Sequence, residues 1–281
     1  MTSLQAGSMR GVILLLTFLL GGCQAPLVRL ENLAATNSRQ VQVLSGLPFP
    51  LLLAAPQQAI ASQRLRVYLE GDGHAWITPN QPSLDPSPRH LLVAGLAFAD
   101  LTPNLYLARP CQFVRVPACH TALWTNQRYG EKIVQSLDQA LDQIKSRYGN
   151  RDFELIGYSG GATLALLLAT RRDDVALVQT LAGNLSPRRW AALQQLTPLD
   201  GSLEPLDLRK RLANVPQRHL LGDADRVIPQ ALLDDYLEAL GPAKCLEAAI
   251  LPRISHVVGW PEAWAAWSDR QVHCTPGTPR R

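Results

Sequence analysis

The chain has 281 residues, of which 47% are hydrophobic and 18% charged, and its 27 basic and 23 acidic side chains leave a formal net charge of +4. This length is enough for one α/β domain with a substantial core. The small positive excess is spread along the chain, without a lysine and arginine stripe and without interleaved aromatic residues. The composition therefore argues against nucleic acid as a partner.

The amino terminus has the pattern of an export signal. A single positive charge precedes an apolar stretch, residues 11–20, which is too short to span a bilayer comfortably as a mature helix. Small residues then precede Cys23, and this ending resembles the lipobox of a bacterial lipoprotein signal. The resemblance implies removal of residues 1–22, lipidation of Cys23 and, with Gln24 following it, a lipid anchor in the outer membrane of the bacterial cell envelope, facing the periplasm. An ordinary secretory signal cleaved near Ala25 is the alternative.

Strand and helix patterns alternate through the rest of the chain, so we expect residues 23–281 to form one domain with a loose tail over 275–281. Apolar residues at helical spacing predict a helix over 127–147, and an alanine- and leucine-rich run predicts another over 160–171. The first two strands are expected to be antiparallel and the central ones parallel. The predicted strands cover residues 40–44, 51–55, 65–69, 104–108, 153–156, 175–181, 217–221 and 246–251.

A tight turn with the sequence Gly-Tyr-Ser-Gly-Gly joins the strand over 153–156 to the helix over 160–171, and Ser159 lies at its apex. This is the arrangement of a nucleophile elbow, in which a sharp strand-to-helix turn lifts the serine hydroxyl clear of the sheet. A side chain at position 157 or 161 would collide with the adjacent strand or with the helix backbone. An ordinary glycine-rich turn without chemistry is the alternative.

A serine hydroxyl attacks a carbonyl only when a base removes its proton, and the base needs a carboxylate to orient it. Of the six histidines, His256 lies in a loop between the last predicted strand and a helix start, where the base would have to lie. Asp223 and Asp225 both follow the predicted strand over 217–221 and are the candidate acids. His219 lies inside that strand, so we expect it to be packed or paired there.

The order of serine, aspartate and histidine, with a glycine-rich loop upstream, resembles the α/β-hydrolase family over roughly residues 40–270. The resemblance implies an α/β-hydrolase fold with a mostly parallel central sheet and helices on both faces. It selects Asp225 as the acid, because the spacing from Gly222 to Pro229 looks like the family's acid loop. The stretch over 184–214, where the family commonly carries a lid, is short, which implies a short lid insert and an open cleft.

Three segments, at residues 70–76, 108–111 and 123–125, look like those of a group of bacterial lipoprotein hydrolases. The resemblance implies esterase-type chemistry. One departure concerns the loop after the third strand, where many members of the wider family carry His-Gly and this chain carries Glu70 followed by glycine.

The tetrahedral oxyanion formed by serine attack needs preorganised hydrogen-bond donors. One donor is expected to be the backbone N–H of Gly160, and the second is expected from the loop after the third strand. There the two glycines let the backbone turn an amide inward, so we assign the second donor to the Asp72 N–H, with Gly73 as the substitute. A plain glycine turn is the alternative. The proline-rich segment 79–88 is expected to wall the site together with Trp76.

Removal of the signal leaves four cysteines in an exported chain, and an even count outside the cytosol indicates disulfide bonds. We favour Cys111 with Cys119 and Cys245 with Cys274 among the three connectivities. No cysteine pair has zinc-like spacing near histidines, so we expect no metal and no cofactor.

The predicted function is that of a serine hydrolase that cleaves a small carboxylic ester or related acyl substrate through an acyl-enzyme. Peptidases, thioesterases and acyltransferases use the same residue types, so the sequence leaves these activities open. A different class of protein, a non-catalytic envelope lipoprotein that uses the fold as a binding scaffold, is the other alternative.

Overall fold

A mostly parallel sheet of eight strands organises the computed structural model, which describes residues 25–272 and Cys274. The predicted signal, the lipidation residue Cys23 and the predicted loose tail lie outside the described residues. Two further short strands, β4 and β5, form a separate hairpin. In chain order the strands are β1 (Arg39–Leu44), β2 (Leu51–Pro56), β3 (Arg64–Leu69), β4 (Trp76–Thr78), β5 (Gln81–Pro82), β6 (Asn104–Leu107), β7 (Asp152–Tyr158), β8 (Val175–Leu181), β9 (Gln217–Gly222) and β10 (Leu246–Leu251).

The order of strands across the sheet is β1-β2-β6-β3-β7-β8-β9-β10. Strand β2 runs antiparallel to both β1 and β6, and all the other neighbours are parallel. The predicted fold class is confirmed, and the predicted bounds of the eight strands agree with the structure to within two residues. Because β3, β7, β8, β9 and β10 are parallel, the loops at their carboxyl ends meet at one edge of the sheet.

Helices connect the strands and cover both faces of the sheet. They are α1 (Pro26–Thr36), α2 (Leu92–Ala99), α3 (Glu131–Tyr148), α4 (Gly160–Arg171), α5 (Pro187–Leu193), α6 (Arg209–Leu212), α7 (Gln230–Leu240) and α8 (Trp260–Trp267), with 3₁₀ turns at Thr121–Trp124 and Pro205–Leu208. The helix predicted over 127–147 begins only at Glu131. The Gly130 N–H donates to the Gln127 carbonyl 2.8 Å away, which closes a turn before the helix, and Gly130 itself is the N-cap.

Alternating residues of the central strands divide the core into two layers. On β3, Leu65 and Val67 belong to the layer that also contains the buried faces of α3, α4 and α7. Tyr68, which follows Val67 and points to the other side of the pleat, belongs to the opposite layer with residues of α1, α2 and α8. The helix α4 is buried along its whole length, from Gly160 to Thr170, and so it fixes the position of the turn that precedes it.

Two disulfide bonds lie in the described part of the chain, Cys111 with Cys119 and Cys245 with Cys274, which is the pairing favoured from the sequence. The residues Cys111 and Cys245 are both buried. Within residues 25–272 and Cys274, no helix is long and apolar enough to cross a membrane.

His219 is buried in β9 and has a partner on each ring nitrogen. Its Nδ1 lies 2.8 Å from the Thr180 hydroxyl and its Nε2 lies 3.1 Å from Gln217 Oε1. Burial lowers the pKa of His219 to about 3, so the ring is neutral at neutral pH. The side chain is packed within the sheet, as expected from its position in a strand.

Candidate active site

Ser159 lies at the sharp turn between β7 and α4, where its backbone adopts φ +51° and ψ −120°. A positive φ is uncommon for a residue with a side chain and is maintained only when the surrounding structure enforces it. The Ser159 N–H donates to the Leu181 carbonyl 3.0 Å away, which fastens the turn to the end of β8. The predicted elbow geometry is therefore present.

The glycines on either side of this turn allow the close approach of the strands to α4. A Cβ atom at position 157 would lie 2.5 Å from the Ala162 Cα, and one at position 161 would lie 2.4 Å from the Leu69 carbonyl oxygen. Both contacts would be with backbone atoms, which cannot change rotamer as a side chain can. Gly157 and Gly161 are therefore required by the packing of β7 and β3 against the start of the helix.

Three side chains from the carboxyl-end loops of β7, β9 and β10 form a continuous hydrogen-bonded chain. The Ser159 Oγ lies 3.1 Å from the His256 Nε2, and the His256 Nδ1 lies 2.9 Å from the Asp225 Oδ2. These distances allow the hydroxyl to donate to an imidazole that is itself oriented by a carboxylate. The geometry brings together the three residues that were singled out in the sequence as nucleophile, acid and base.

Of the two candidate acids, Asp225 contacts the imidazole. Its side chain is 0% exposed, and its other oxygen, Oδ1, accepts the backbone N–H groups of Val227 and Ile228 at 2.8 and 2.9 Å. Asp223 instead accepts the N–H of Arg253 at 2.7 Å. The loop after β9 therefore holds Asp225 toward His256 and holds Asp223 toward the end of β10.

The loop that carries His256 is fixed through its backbone. The Tyr158 hydroxyl donates to the His256 carbonyl at 2.7 Å, and the indole N–H of Trp260 reaches the carbonyls of Ser255 and His256 at 3.0 Å. The rings of Tyr158 and His256 also contact each other, with centroids 5.3 Å apart. The sequence had not singled out Tyr158 for this role, although its position before the serine could have suggested it.

The loop after β3 lies against the first turn of α4. A Cβ atom on Gly160 would lie 2.0 Å from the Asp72 Oδ1, so these two residues are in direct contact. As the first amide of α4, the Gly160 N–H has no acceptor within the helix. No backbone carbonyl in residues 25–272 accepts a hydrogen bond from the Asp72 or Gly73 N–H. The three amides predicted as oxyanion donors thus lie close to Ser159, Gly160 as the first residue of α4 and Asp72 and Gly73 on the loop after β3, and both Asp72 and Gly73 line the cleft.

The Asp72 carboxylate is held by two arginines and a tyrosine. Arg109 donates to one of its oxygens, Arg128 donates to the other at 2.7 Å, and the Tyr129 hydroxyl lies 3.1 Å away. Burial by itself would raise the pKa of Asp72, but the charges of Arg128 and Arg109 and their hydrogen bonds lower it to about 2. Asp72 and Arg128 both line the cleft, so this charged cluster lies beside Ser159. Nothing local in the sequence indicated this cluster, because its other members lie 37 to 57 residues from Asp72 along the chain.

Glu70, which directly follows β3, is buried. Its two oxygens accept the Tyr106 hydroxyl at 2.8 Å and the Gly71 N–H at 2.9 Å. Burial raises the pKa of Glu70 to about 7, although both hydrogen bonds and the charge of Arg109 act in the opposite direction. The carboxyl group therefore changes its charge near neutral pH.

A cleft of about 460 Å³ opens above Ser159. The proline-rich segment contributes Pro88 to its wall, as expected, and the other apolar residues of the wall are Ala75, Trp76, Leu92, Trp190, Val227, Ile228 and Val257. Among the described residues, no cluster of three histidine, cysteine, aspartate or glutamate side chains could hold a metal ion.

The short insert between β8 and β9 is fastened to the loop that carries Asp225. The Trp190 indole N–H on α5 donates to the Val227 carbonyl at 2.9 Å, and the Gln194 side chain donates to the same carbonyl at 3.1 Å. The insert therefore forms one wall of the cleft and supports the acid loop.

Asn184 is a further residue of the cleft that sequence analysis did not identify. Its backbone N–H donates to the Ser159 carbonyl at 3.0 Å, and its carbonyl accepts the Thr163 hydroxyl at 2.6 Å. The side-chain oxygen is buried and accepts no hydrogen bond from any described residue. Asn184 thus ties the end of β8 to the elbow while its side chain lines the cleft.

The raised pKa of Glu70 predicts a pH-dependent contribution to stability. The folded state binds an extra proton between pH of about 4.5 and about 7, so this contribution is fully present below that range and is lost as the pH rises through it. Replacing Glu70→Gln should remove this dependence. The free energy of unfolding of the variant minus that of the unmodified protein should be about 1 to 3 kcal/mol larger at pH 8 than at pH 5. Urea unfolding at both pH values measures it.

A matched control is Glu31→Gln, which changes an exposed carboxyl on α1 and should give the same difference at both pH values. If the stability difference between the Glu70→Gln variant and the unmodified protein does not change with pH, the assignment of the proton to Glu70 is wrong.

Comparison with known proteins supports the architecture. No family model and no curated protein sequence matches this chain. Among solved structures, the esterase Pf2001 of Pyrococcus furiosus has a TM-score of 0.59 at 12% identity, covering 84% of this chain and 91% of its own. A cold-adapted esterase from an Arctic intertidal metagenomic library has a TM-score of 0.56 at 18% identity, covering 82% and 91%.

A third structure, an α/β serine hydrolase without a lid from Xanthomonas campestris, has a TM-score of 0.54 at 15% identity and covers 85% of this chain and 97% of its own. At these identities the likeness concerns the fold. Together with the strand order and the parallel core of the sheet, it shows that this chain has the α/β-hydrolase fold.

Proposed function

We propose that this protein is a serine hydrolase that cleaves carboxylic esters through an acyl-enzyme intermediate. The observation that carries the proposal is the hydrogen-bonded chain from the Ser159 Oγ through His256 to Asp225, with distances of 3.1 and 2.9 Å. A buried carboxylate that accepts two backbone amides and an imidazole N–H is arranged to orient a base. Ser159, at the apex of the elbow, lines the open cleft.

In the first half of the reaction, the Ser159 Oγ attacks the ester carbonyl carbon while the His256 Nε2 takes the hydroxyl proton. The carbonyl oxygen becomes an oxyanion, which accepts hydrogen bonds from the Gly160 N–H and the Asp72 N–H. Asp225 stabilises the imidazolium that forms. Collapse of the tetrahedral intermediate breaks the bond to the leaving oxygen, which receives the proton from His256 and departs as an alcohol.

In the second half, water replaces the alcohol. His256 removes a proton from the water as it attacks the acyl carbon, and the same donors stabilise the second oxyanion. When this intermediate collapses, the bond to the Ser159 Oγ breaks and the proton on His256 returns to the serine. The carboxylic acid leaves, and the free enzyme is restored.

Two considerations favour an ester as the substrate. The cleft has a modest volume, about 460 Å³, and an insert that leaves it open. Two of the solved structures that share the fold are esterases by name, and the third is a serine hydrolase without a lid. We infer a small-molecule acyl substrate on this basis.

The catalytic assignment is tested with Ser159→Ala, which removes the nucleophile and leaves the packing unchanged. We expect kcat on a short-chain nitrophenyl ester to fall by about 10⁴-fold or more, and labelling by a fluorophosphonate probe to disappear. Ser62→Ala, two residues before β3 and outside the cleft, serves as the matched control and should keep both the activity and the labelling. Folded unmodified protein that the probe fails to label, or a Ser159→Ala protein with the native rate, would contradict the proposal.

We further assign a positioning role to the Asp72 side chain, which holds the oxyanion loop against Gly160. In Asp72→Asn the shape is kept but the charge that pairs with Arg109 and Arg128 is lost. We expect kcat to fall about 10- to 100-fold with little change in KM, because the displaced amide acts mainly on the oxyanion. Steady-state kinetics measures kcat and KM separately.

Thermal unfolding of the same variant should show a lower midpoint, since two buried guanidinium groups lose their partner. Asp173→Asn, at a carboxylate whose side chain is 98% exposed, is the control and should change neither quantity. A correctly folded Asp72→Asn protein with unchanged kcat would show that the carboxylate has no such role.

We propose that the protein is exported and anchored by a lipid on Cys23. The sequence of the first 23 residues motivates this, and the two disulfide bonds are consistent with an oxidising compartment outside the cytoplasm. In bacterial cells that express the full chain, Cys23→Ser should abolish incorporation of labelled palmitate and release the protein from the membrane fraction. A Ser3→Ala chain should behave like the unmodified one. Palmitate labelling that survives Cys23→Ser would refute the anchor.

A further inference from the structure

An apolar groove of about 780 Å³ lies between α2 and α8, on the side of the sheet that carries these helices. It is larger than the cleft above Ser159. Apolar side chains line it from both helices and their flanking loops, among them Leu96, Leu101, Val257, Val258 and Trp264. Several of these are exposed to solvent, among them Leu101 (100%) and Val258 (65%). An exposed, contiguous apolar surface on a folded protein marks a binding site.

The two carboxylates that line the groove, Asp100 and Asp269, are both paired with Arg66. The Asp100 carboxylate accepts the Tyr68 hydroxyl at 2.6 Å and pairs with Arg66 at 3.0 Å. Asp269 pairs with the same arginine at 3.1 Å. The groove therefore presents a hydrocarbon wall without free cationic groups among its described lining residues, which suits an uncharged alkyl chain and not an anionic head group.

The groove adjoins the cleft on the side of the base. His90, Leu92 and Val257 line both, and Val257 directly follows His256. In the proposed mechanism the His256 Nε2 must protonate the leaving oxygen, so the alcohol portion of the ester lies on this side of Ser159. The part of the substrate that can extend into the groove is therefore the alcohol.

One residue of α2 leaves room for such a chain. Gly95 lines the groove, and a Cβ atom built on it would meet no other atom within 4 Å. A glycine within a helix is unfavourable compared with larger residues, and neither packing nor backbone conformation requires one at this position. Its absence of a side chain instead keeps the groove open.

We propose that the groove between α2 and α8 binds the alkyl chain of the leaving alcohol, so that the protein prefers esters of long-chain, apolar alcohols. This inference rests on the proposed ester hydrolysis. It assigns the alcohol portion of the substrate to the groove, and the acyl portion binds in the cleft.

Two matched substrate series test it, each kept below its micellar concentration. One consists of acetate esters of alcohols from ethanol to dodecanol, and the other of ethyl esters of acids from acetic to dodecanoic. We expect kcat/KM to rise by about two- to fourfold per methylene along the alcohol series over several carbons. Along the acid series, kcat/KM should stop rising after the first few carbons, because the groove does not accept the acyl chain.

The variant Gly95→Leu places a side chain in the groove at a position where a Cβ atom meets no other atom within 4 Å. It should leave ethyl acetate hydrolysis within about twofold while lowering kcat/KM for dodecyl acetate at least about tenfold. Ala35→Leu, which adds the same side chain at an exposed position of α1 outside the groove, should change neither. Equal effects of Gly95→Leu on both acetates, or a selective effect on the acid series, would overturn the proposal.

A binding measurement separates this inference from the proposed function. In the Ser159→Ala background, calorimetry should detect 1-decanol binding that Gly95→Leu weakens at least about tenfold. If no ester is hydrolysed but this binding is found, the proposed function fails and the alkyl site stands. If esters are hydrolysed without dependence on alcohol length, the site fails and the function stands. A dimer that Gly95→Leu converts to a monomer would identify a second copy as the occupant and overturn the proposal.

Discussion

The backbone of Ser159 is the constraint on which the rest of the site depends. Its φ of +51° is enforced because β7, β3 and α4 approach so closely that positions 157 and 161 have no room for a Cβ atom. Residues in sparsely populated backbone regions cost of order 1–3 kcal/mol and persist only where surrounding packing over-determines them. Here the buried helix α4 and the central strands provide that packing. The hydroxyl is consequently held at the edge of the sheet where β9 and β10 also end and the loops that follow them begin.

Two carboxyl groups in the loop after β3 show how the environment sets charge at neighbouring positions. Glu70 and Asp72 are separated by one glycine, yet burial raises the pKa of the first to about 7 while two arginines lower that of the second to about 2. Asp72 therefore remains a fixed anion that ties the loop to the segment around Arg128. Glu70 has hydrogen-bond donors but no directly bonded cation, so it can take up a proton near neutrality.

The meeting of Ser159, Asp225 and His256 at one edge of the sheet could be predicted because each lies in a short local pattern that follows a strand with clear periodicity. Ser159, Asp225 and His256 were assigned in this way, and the structure brings their side chains together. The clamp on Asp72 could not be predicted, since Arg109 and Arg128 reach it from distant segments that show no pattern of their own.

Local composition also explains which elements were missed. The helix α2 has the sequence Leu-Val-Ala-Gly-Leu-Ala-Phe-Ala and lacks polar residues, so it shows no amphipathic periodicity. The hairpin β4–β5 has only two and three residues per strand and lies in the proline-rich region. The helix α3 was predicted four residues too early because a turn closed by Gly130 precedes it.

The indole of Trp190 has a consequence for how substrate reaches the serine. By donating to the Val227 carbonyl, it links the α5 insert to the loop that holds Asp225. Outward movement of the insert would break these hydrogen bonds to the loop that holds Asp225. The insert is therefore a fixed wall of the cleft and not a mobile lid. In the proposed hydrolase, substrate would therefore enter an open cleft, and dissolved and interfacial esters are expected to follow the same saturation curve.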